Sequence, residues 1–345
     1  MLAAWRSEPA LGALVLYGAA GLLAALLSAW PAAAARDALK DWHRLWSLGL
    51  FAAALAVEPE APVLPALAAS FGLMALIGSA QPLSAGWGAW GNHRAHGFVH
   101  PVVYGEQMAL AVLGGLSFLI RPDRRWPRAA AGLLVVLAAA ALYLSQTRMA
   151  LFAAALGFGA LLLREARARR WLFPALLLTA AAAVSWQYLP TEGRTLTAVF
   201  ERYSPNNPQQ ARFALWDAAW KMFEKHPLTG VGPSGYRRDF ERYHPAPVGG
   251  QADWGSAHDL YLHQLAERGL LGEAALLLLL CVLLLRAWRA ARDGGAAALW
   301  AAAAIPAFLA MNLTETAFQN EQFAALLLLI WACGTAPLRR GGEII

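Results

Sequence analysis

The chain has 345 residues, 59% of them hydrophobic and only 14% charged, with a mean hydropathy of +0.43. Soluble domains do not carry that ratio, and the apolar residues come in blocks as long as a helix that crosses about 30 Å of hydrocarbon. The formal charge of +6 does not point to nucleic acid, because the basic residues sit in short runs between apolar blocks with no aromatic RNA-binding motif among them; membrane topology accounts for them better.

The opening stretch MLAAWRSEPALGALVLYGAAGLLAALLSAW is longer than a signal-peptide core and shows no convincing cleavage site, so it reads as a retained first span. Spans are predicted over 10 to 30, 44 to 57, 63 to 81, 102 to 120, 129 to 146, 149 to 163, 171 to 188, 268 to 286, 296 to 312 and 322 to 337, about ten in all. The runs RPDRRWPR (121 to 128), REARARR (164 to 170), RAWRAAR (286 to 292) and LRR (338 to 340) all fall on one side of this alternation, the side that an excess of arginine makes cytoplasmic. RDALKDWHR (36 to 44) is a mild exception on the outer side. Both termini are then inside, and the polar segment from Leu189 to about His258 is outside. Cys281 and Cys333 lie in predicted spans and imply no disulfide framework.

The expected fold is an all-α polytopic membrane protein: N-terminal transmembrane helices over 1–188, a large outer loop over 189–260 containing amphipathic helices, and C-terminal transmembrane helices over 261–345. In the loop, QQARFALWDAAWKMFEKHPLTGVG sets Phe213, Trp216, Trp220 and Phe223 at helical spacing before Pro227 and Gly230 stop the helix. An aromatic face of that kind suits a helix lying flat at the membrane interface.

Polar residues at the outer edge are the candidates for chemistry. His258, in AHDLYLHQLAERGLLG, stands just ahead of a long apolar run. If 258 to 286 is one helix, His258, Leu262, Leu265, Gly269 and Gly272 share a face within about 40°, and the histidine crowns a seam whose glycines permit close packing. From the residues alone it is either an interfacial anchor or a base. Arg148, at the turn of a tight helical hairpin, either snorkels or meets an anion, for which a guanidinium is the better fork. Arg212 precedes the aromatic helix and reads either as a solvated charge or as a second anion ligand. The turn HPLTGVGPSGYRRD, with Gly230, Gly232 and Tyr236, is either a helix stop or a set of backbone amides converging on an anion. Between residues 91 and 110, His93, His96 and His100 tempt a metal reading, but Gly97 and Pro101 break any helix that would align them and no carboxylate or cysteine completes the set; no metal or other cofactor is expected. Arg94 is a further outer cation.

There is no Asp-x-Asp, Walker A or Gly-x-Ser-x-Gly motif. Group transfer on a face without ATP needs a donor that arrives activated, and a lipid diphosphate fits: arginines neutralise the leaving diphosphate and an imidazole takes the proton of the attacking hydroxyl.

RFALWDAAWKMFEKHPLTGVGPSGY followed by AHDLYLHQLAERGLLG resembles the O-antigen ligase and polymerase superfamily, with its Arg then Trp, its Pro-x-x-Gly-x-Gly turn, and its His-Asn with Gly-x-x-Gly nine residues on. The resemblance covers roughly residues 90 to 335, and RAHGFVHPVVYGEQMAL is more similar to the ligases than to the polymerases. It implies that His258 is the catalytic base, that Arg148 and Arg212 hold an undecaprenyl diphosphate, and that Arg94 is a further contact. Asp259 stands where the family has Asn, and either orients the histidine or acts on it by charge. The implied fold is all-helical with a periplasmic loop capping a cavity open to lipid, in the bacterial inner membrane. The implied activity is metal-independent, inverting transfer of O-antigen glycan from undecaprenyl diphosphate to a lipid A-core hydroxyl. The alternatives are a polymerase joining lipid-linked repeats and, from another class, a lipid-linked glycan transporter, which would call for charges or broken helices at mid-membrane.

Overall fold

A computed structural model of the chain describes residues 8–58, 62–84, 93–123, 126–166, 211–248, 251–336, 339–340 and 343–344. Apart from a two-residue antiparallel pairing of Arg339–Arg340 with Glu343–Ile344 and an isolated bridge between Val248 and Gln251, the regular structure is helical. In chain order the α-helices are α1 Pro9–Leu26, α2 Pro31–Lys40, α3 His43–Val57, α4 Val63–Ser84, α5 Pro101–Ile120, α6 Arg128–Leu144, α7 Arg148–Arg164, α8 Ala211–Lys225, α9 Gly235–Tyr243, α10 Leu260–Ala290, α11 Ala296–Met311 and α12 Glu321–Thr335. Every expected span but one falls on a helix; the exception, 171 to 188, lies outside the described residues, as do residues 189 to 210 of the expected outer loop. Helices α1, α4, α5 and α10 are long and apolar enough to cross a membrane, and α6, α11 and α12 are shorter apolar helices.

The chain forms two compact units. One comprises Ala54–Thr195, Leu284–Met311 and Leu329–Ile345. Its centre is α11, which is apolar on nearly every face and buried accordingly. Helix α11 packs on α5 and α7 through small residues: a side chain at Gly157 would collide with the Ala303 carbonyl, and one at Gly114 with the Trp300 ring. Trp300 donates its indole N–H to the Leu110 carbonyl (2.9 Å), which satisfies the one polar atom of a large buried ring. At one end of this unit Arg121 donates to Glu165 (3.0 Å) and to the carbonyls of Ala291 and Gly294 (2.8 and 2.7 Å). Three of the predicted basic runs therefore meet at a common end, as the alternation of spans requires.

The other unit comprises Met1–Ala53, Leu196–Leu283 and Asn312–Leu328. Helix α8 buries Ala211, Ala214, Leu215, Ala218, Ala219 and Met222 together with Tyr236, Phe240 and Tyr243 from α9. Its aromatic edge faces outward, with Phe213 and Trp220 each 46% exposed. The buried residues of this cluster, with Trp216 partly packed against them, hold α8 to the fold, so Phe213 and Trp220 stay available to lipid.

Helix α10 departs from the expectation of one continuous seam. Gly269 has φ 59° and ψ −162°, a conformation essentially confined to glycine, and the helix breaks there. The break frees backbone groups that the Pro227–Gly232 turn takes up. Leu270 and Leu271 donate to the carbonyls of Pro227 and Leu228 (2.8 and 3.2 Å), while Val231 and Gly232 donate to those of Ala266 and Glu267 (2.9 and 2.8 Å). A side chain on Gly269 would lie 2.3 Å from Leu228 backbone, and one on Gly230 equally close to Glu267 backbone. The two glycine motifs of the sequence are thus the two halves of one interlock.

The stretch 36 to 44, the mild exception on the outer side, is partly a buried ion cluster. Arg44 is 2% exposed; it donates to Asp41 and, through Nε and Nη2, to the Phe318 carbonyl (3.1 and 2.5 Å). Asp41 also accepts from Arg268 of α10, whose guanidinium lies 4.7 Å from the centre of the Tyr17 ring. Burial by itself would raise the Asp41 carboxyl, but Arg268 and Arg44 outweigh it and hold the group below the ordinary carboxylate value.

Candidate active site

His258 is not part of helix α10. It stands two residues before Leu260 with a left-handed backbone (φ 49°), so the predicted stripe from His258 to Gly272 is lost at both ends, to the turn at the histidine and to the break at Gly269. The turn aims the imidazole across the start of the helix and not along it. Asp259 takes the N-cap, its carboxylate accepting from the Leu262 N–H (2.9 Å), and the Leu260 N–H donates to the Asn312 carbonyl (2.9 Å), which ties the loop after α11 to the head of α10. Burial raises the Asp259 carboxyl, against the helix amides and Arg212. Its side chain serves the helix, a role that the family's Asn fills equally well.

The loop tied down in this way carries Glu315. One carboxylate oxygen, Oε2, lies 3.0 Å from His258 Nδ1; the other, Oε1, accepts from Arg212 Nη2 at 2.6 Å. A carboxylate only accepts, so the proton between Glu315 and the ring belongs to Nδ1, and the lone pair is on Nε2. Trp254 stands edge-on to the ring at 5.8 Å and is fixed by its own bond to the Val248 carbonyl (3.1 Å). His258 and Arg212 each keep about a third of their side-chain surface exposed (34%), so both reach a ligand. The guanidinium has five N–H donors and this pair uses only Nη2. The arrangement is an oriented base beside a cation that is itself held in place.

Glu315 was not legible as a site residue. It sits in NLTETAF, between two predicted spans and more than fifty positions from the histidine; its only signal is an acidic residue in a short outer loop of a protein with few charges.

The amides of the glycine turn have partners within the fold. The amides of Gly230 and Gly232 donate to the carbonyls of His226 (2.9 Å) and Glu267 (2.8 Å), so neither is left for a ligand. Tyr236 is fully buried, donates its hydroxyl to the Leu215 carbonyl (2.8 Å) and its backbone N–H to Glu267 (3.2 Å), and is pushed above the ordinary phenol value by burial and by Glu267. Gly232 and Tyr236 help to lock the helix break.

Arg94 and Arg148 belong to the other unit. Arg94 donates to the Ser145 carbonyl (2.7 Å) and to Thr147 Oγ1 (2.9 Å), and so clamps the turn between α6 and α7. Arg148 is the first residue of α7, half-buried at the turn of the hairpin that the sequence predicted. His100 caps α5 through Nδ1 and the Val102 N–H (3.4 Å).

The O-antigen ligase family model matches residues 133–277, the stretch that carries Arg148, Arg212, the glycine turn, His258 and the broken head of α10. Over that stretch, under half of its length, the chain is similar to the O-antigen ligase family. No curated protein matches it. The match indicates ligase- or polymerase-type function in O-antigen processing and implies lipid-linked glycan substrates and a membrane setting. Two residues of the geometry above, Arg94 and Glu315, fall outside the matched stretch.

Proposed function

We propose that the protein is an O-antigen ligase of the bacterial inner membrane that moves a glycan from undecaprenyl diphosphate to a hydroxyl of the lipid A core at the periplasmic face. The observation that carries the reading is Glu315 bridging His258 and Arg212. That bridge supports a role for Nε2 of the imidazole as a base and for the guanidinium beside it in neutralising a leaving diphosphate.

In this scheme Nε2 takes the proton of the acceptor hydroxyl while its oxygen attacks the anomeric carbon of the donor. The bond from that carbon to the diphosphate breaks with its electron pair on the phosphate oxygen, and the diphosphate departs against Arg212. One displacement inverts the anomeric centre. Glu315 stabilises the imidazolium that forms, as the carboxylate of a catalytic triad does. For Arg148 and Arg94 a share in donor binding rests on the family resemblance; Arg148→Lys tests it separately, through a rise in donor KM with acceptor KM unchanged.

Purified protein is incubated with lipid-linked glycan, with and without lipid A core, and product size is followed for wild type and His258→Ala. Core-linked product that falls by about 10² to 10⁴ in rate in the variant is the expected result. Longer lipid-linked chains formed without core make the protein a polymerase. Movement of the lipid-linked glycan across the bilayer with no glycosidic product replaces the transferase by a transporter.

A further inference from the structure

The unit that carries His258 also contains a polar cavity of about 310 Å³ that the reaction scheme does not use. Its wall includes Arg268 and His263 from the head of α10, Asp41 just before α3 and Arg44 in its first turn, Glu321 at the start of α12, and Gly255 three residues ahead of His258. Arg268 and His263 are 4% and 2% exposed, yet among the described residues Nε and Nη1 of Arg268 and Nδ1 of His263 have no hydrogen-bond partner. Buried donors and acceptors without partners are costly and mark a place where a polar ligand or ordered water completes the set.

The lining decides the chemistry of that ligand. It holds as many carboxylates as lysine and arginine cations, so it has no net field that would select an anion. Pro233 is its one apolar side chain, so it offers little to a hydrocarbon. Donors and acceptors are mixed along the wall, which suits a ligand whose every group both donates and accepts. A sugar hydroxyl does so, and it replaces an ordered water bond for bond. The volume is at the lower end of small-ligand pockets, about 300 to 1,000 Å³. Glu267, on the same wall, lies about 10 Å along α10 from Leu260, a reach that a glycan covers while its reacting sugar stays at His258.

We propose that this cavity is a carbohydrate subsite that takes an uncharged, hydroxyl-rich sugar of one of the two glycans brought to His258. The proposal rests on the glycan-transfer reading above. Donor and acceptor glycans share this chemistry, and the test separates them.

A side chain at Gly255 meets nothing within 4 Å of its Cβ, so this position can be enlarged without disturbing the buried ion cluster. Full-length protein in detergent is titrated calorimetrically with two lipid-free probes, the core oligosaccharide released from lipid A and the O-antigen oligosaccharide without its lipid diphosphate. Wild type is expected to bind one of them, Gly255→Phe to weaken that binding by about tenfold or more, and Gly255→Ala to stay within about twofold. Glu321→Ala, at the rim, weakens the same oligosaccharide, and His258→Ala leaves its binding intact. The oligosaccharide affected names the source. Equal affinity in wild type and Gly255→Phe, or no binding of either probe by wild type, overturns the subsite. Loss of binding in Gly255→Phe from a wild type that forms no glycosidic product keeps the subsite and removes the transferase; product formation with binding unaltered removes the subsite alone.

Discussion

Glu315 accepts from His258 through one oxygen and from Arg212 through the other, and so does two different jobs with one charge. Glu315→Gln separates them. It keeps the volume and one acceptor oxygen but removes the charge that stabilises an imidazolium and places an NH₂ group against one of its two donor partners. The expected result is a fall in kcat of roughly 10²-fold, as for a neutralised triad carboxylate with part of the geometry kept. A rise in donor KM with kcat preserved shows instead that Glu315 acts only through Arg212; steady-state kinetics with each substrate varied decides. Asp259, the neighbour of the base, is a contrasting case. Its folded pKa is raised, chiefly by burial, so the folded protein holds the proton more tightly than the unfolded chain, and ionisation opposes folding as pH rises through the window above the ordinary carboxyl value. Asp259→Asn keeps the cap without the charge. It is expected to raise Tm at pH 7 relative to wild type, with the difference vanishing as pH falls to the ordinary carboxyl range, while Asp259→Ala loses the cap and costs about 1 kcal/mol. Thermal unfolding in detergent across pH measures both.

At the scale of the element, the head of α10 and the turn after α8 are one device. The break at Gly269 supplies two N–H donors and two carbonyl acceptors, and the Pro227–Gly232 turn matches all four. Gly269→Ala forces an alanine into a glycine-only conformation and sets its Cβ 2.3 Å from Leu228 backbone, and is expected to destabilise by roughly 2–4 kcal/mol. Gly132→Ala, in α6 and with nothing within 4 Å of the added carbon, is the control and stabilises by a few tenths to about 1 kcal/mol. Equal Tm values for the two variants would remove the interlock as a source of stability. The sequence shows the glycines of 269 and 272 at seam spacing, and a seam is what it suggests. A glycine that allows helices to approach and a glycine that ends a helix are the same letter, and only φ distinguishes them. The partner of the break lies some forty residues earlier, so no local pattern points to it.

For the molecule as a whole, what could be read from the sequence followed the strength of the physical signal. Long apolar blocks located the helices, and the runs containing Arg121, Arg164 and Arg289 located a common end, because hydrophobic length and charge bias act locally along the chain. His258 and Arg212 were legible because polar residues at the mouth of an apolar run are few. Glu315 and the cluster of Asp41, Arg44 and Arg268 were not, since each depends on contacts between stretches that only the folded unit brings together. Asp41 tests that dependence. It stands between Arg44, three residues on, and Arg268, more than two hundred positions later, and its pKa is lowered by both against the opposing effect of burial. A lowered folded pKa means that the pair's stabilisation is complete above the ordinary carboxyl value, about 3.9, and is lost as pH falls from there through the folded value. Asp41→Asn leaves two buried guanidinium groups without their counter-ion and is expected to cost about 3–5 kcal/mol at pH 7. The cost should shrink on acidification, because wild type then loses the same charge while the variant has none to lose. Chemical unfolding at pH 7 and at a series of pH values below about 3.9 measures this. A pH-independent difference between the two proteins would assign the loss to packing, and the ion cluster would not be what joins the N-terminal stretch to the helix that carries the site.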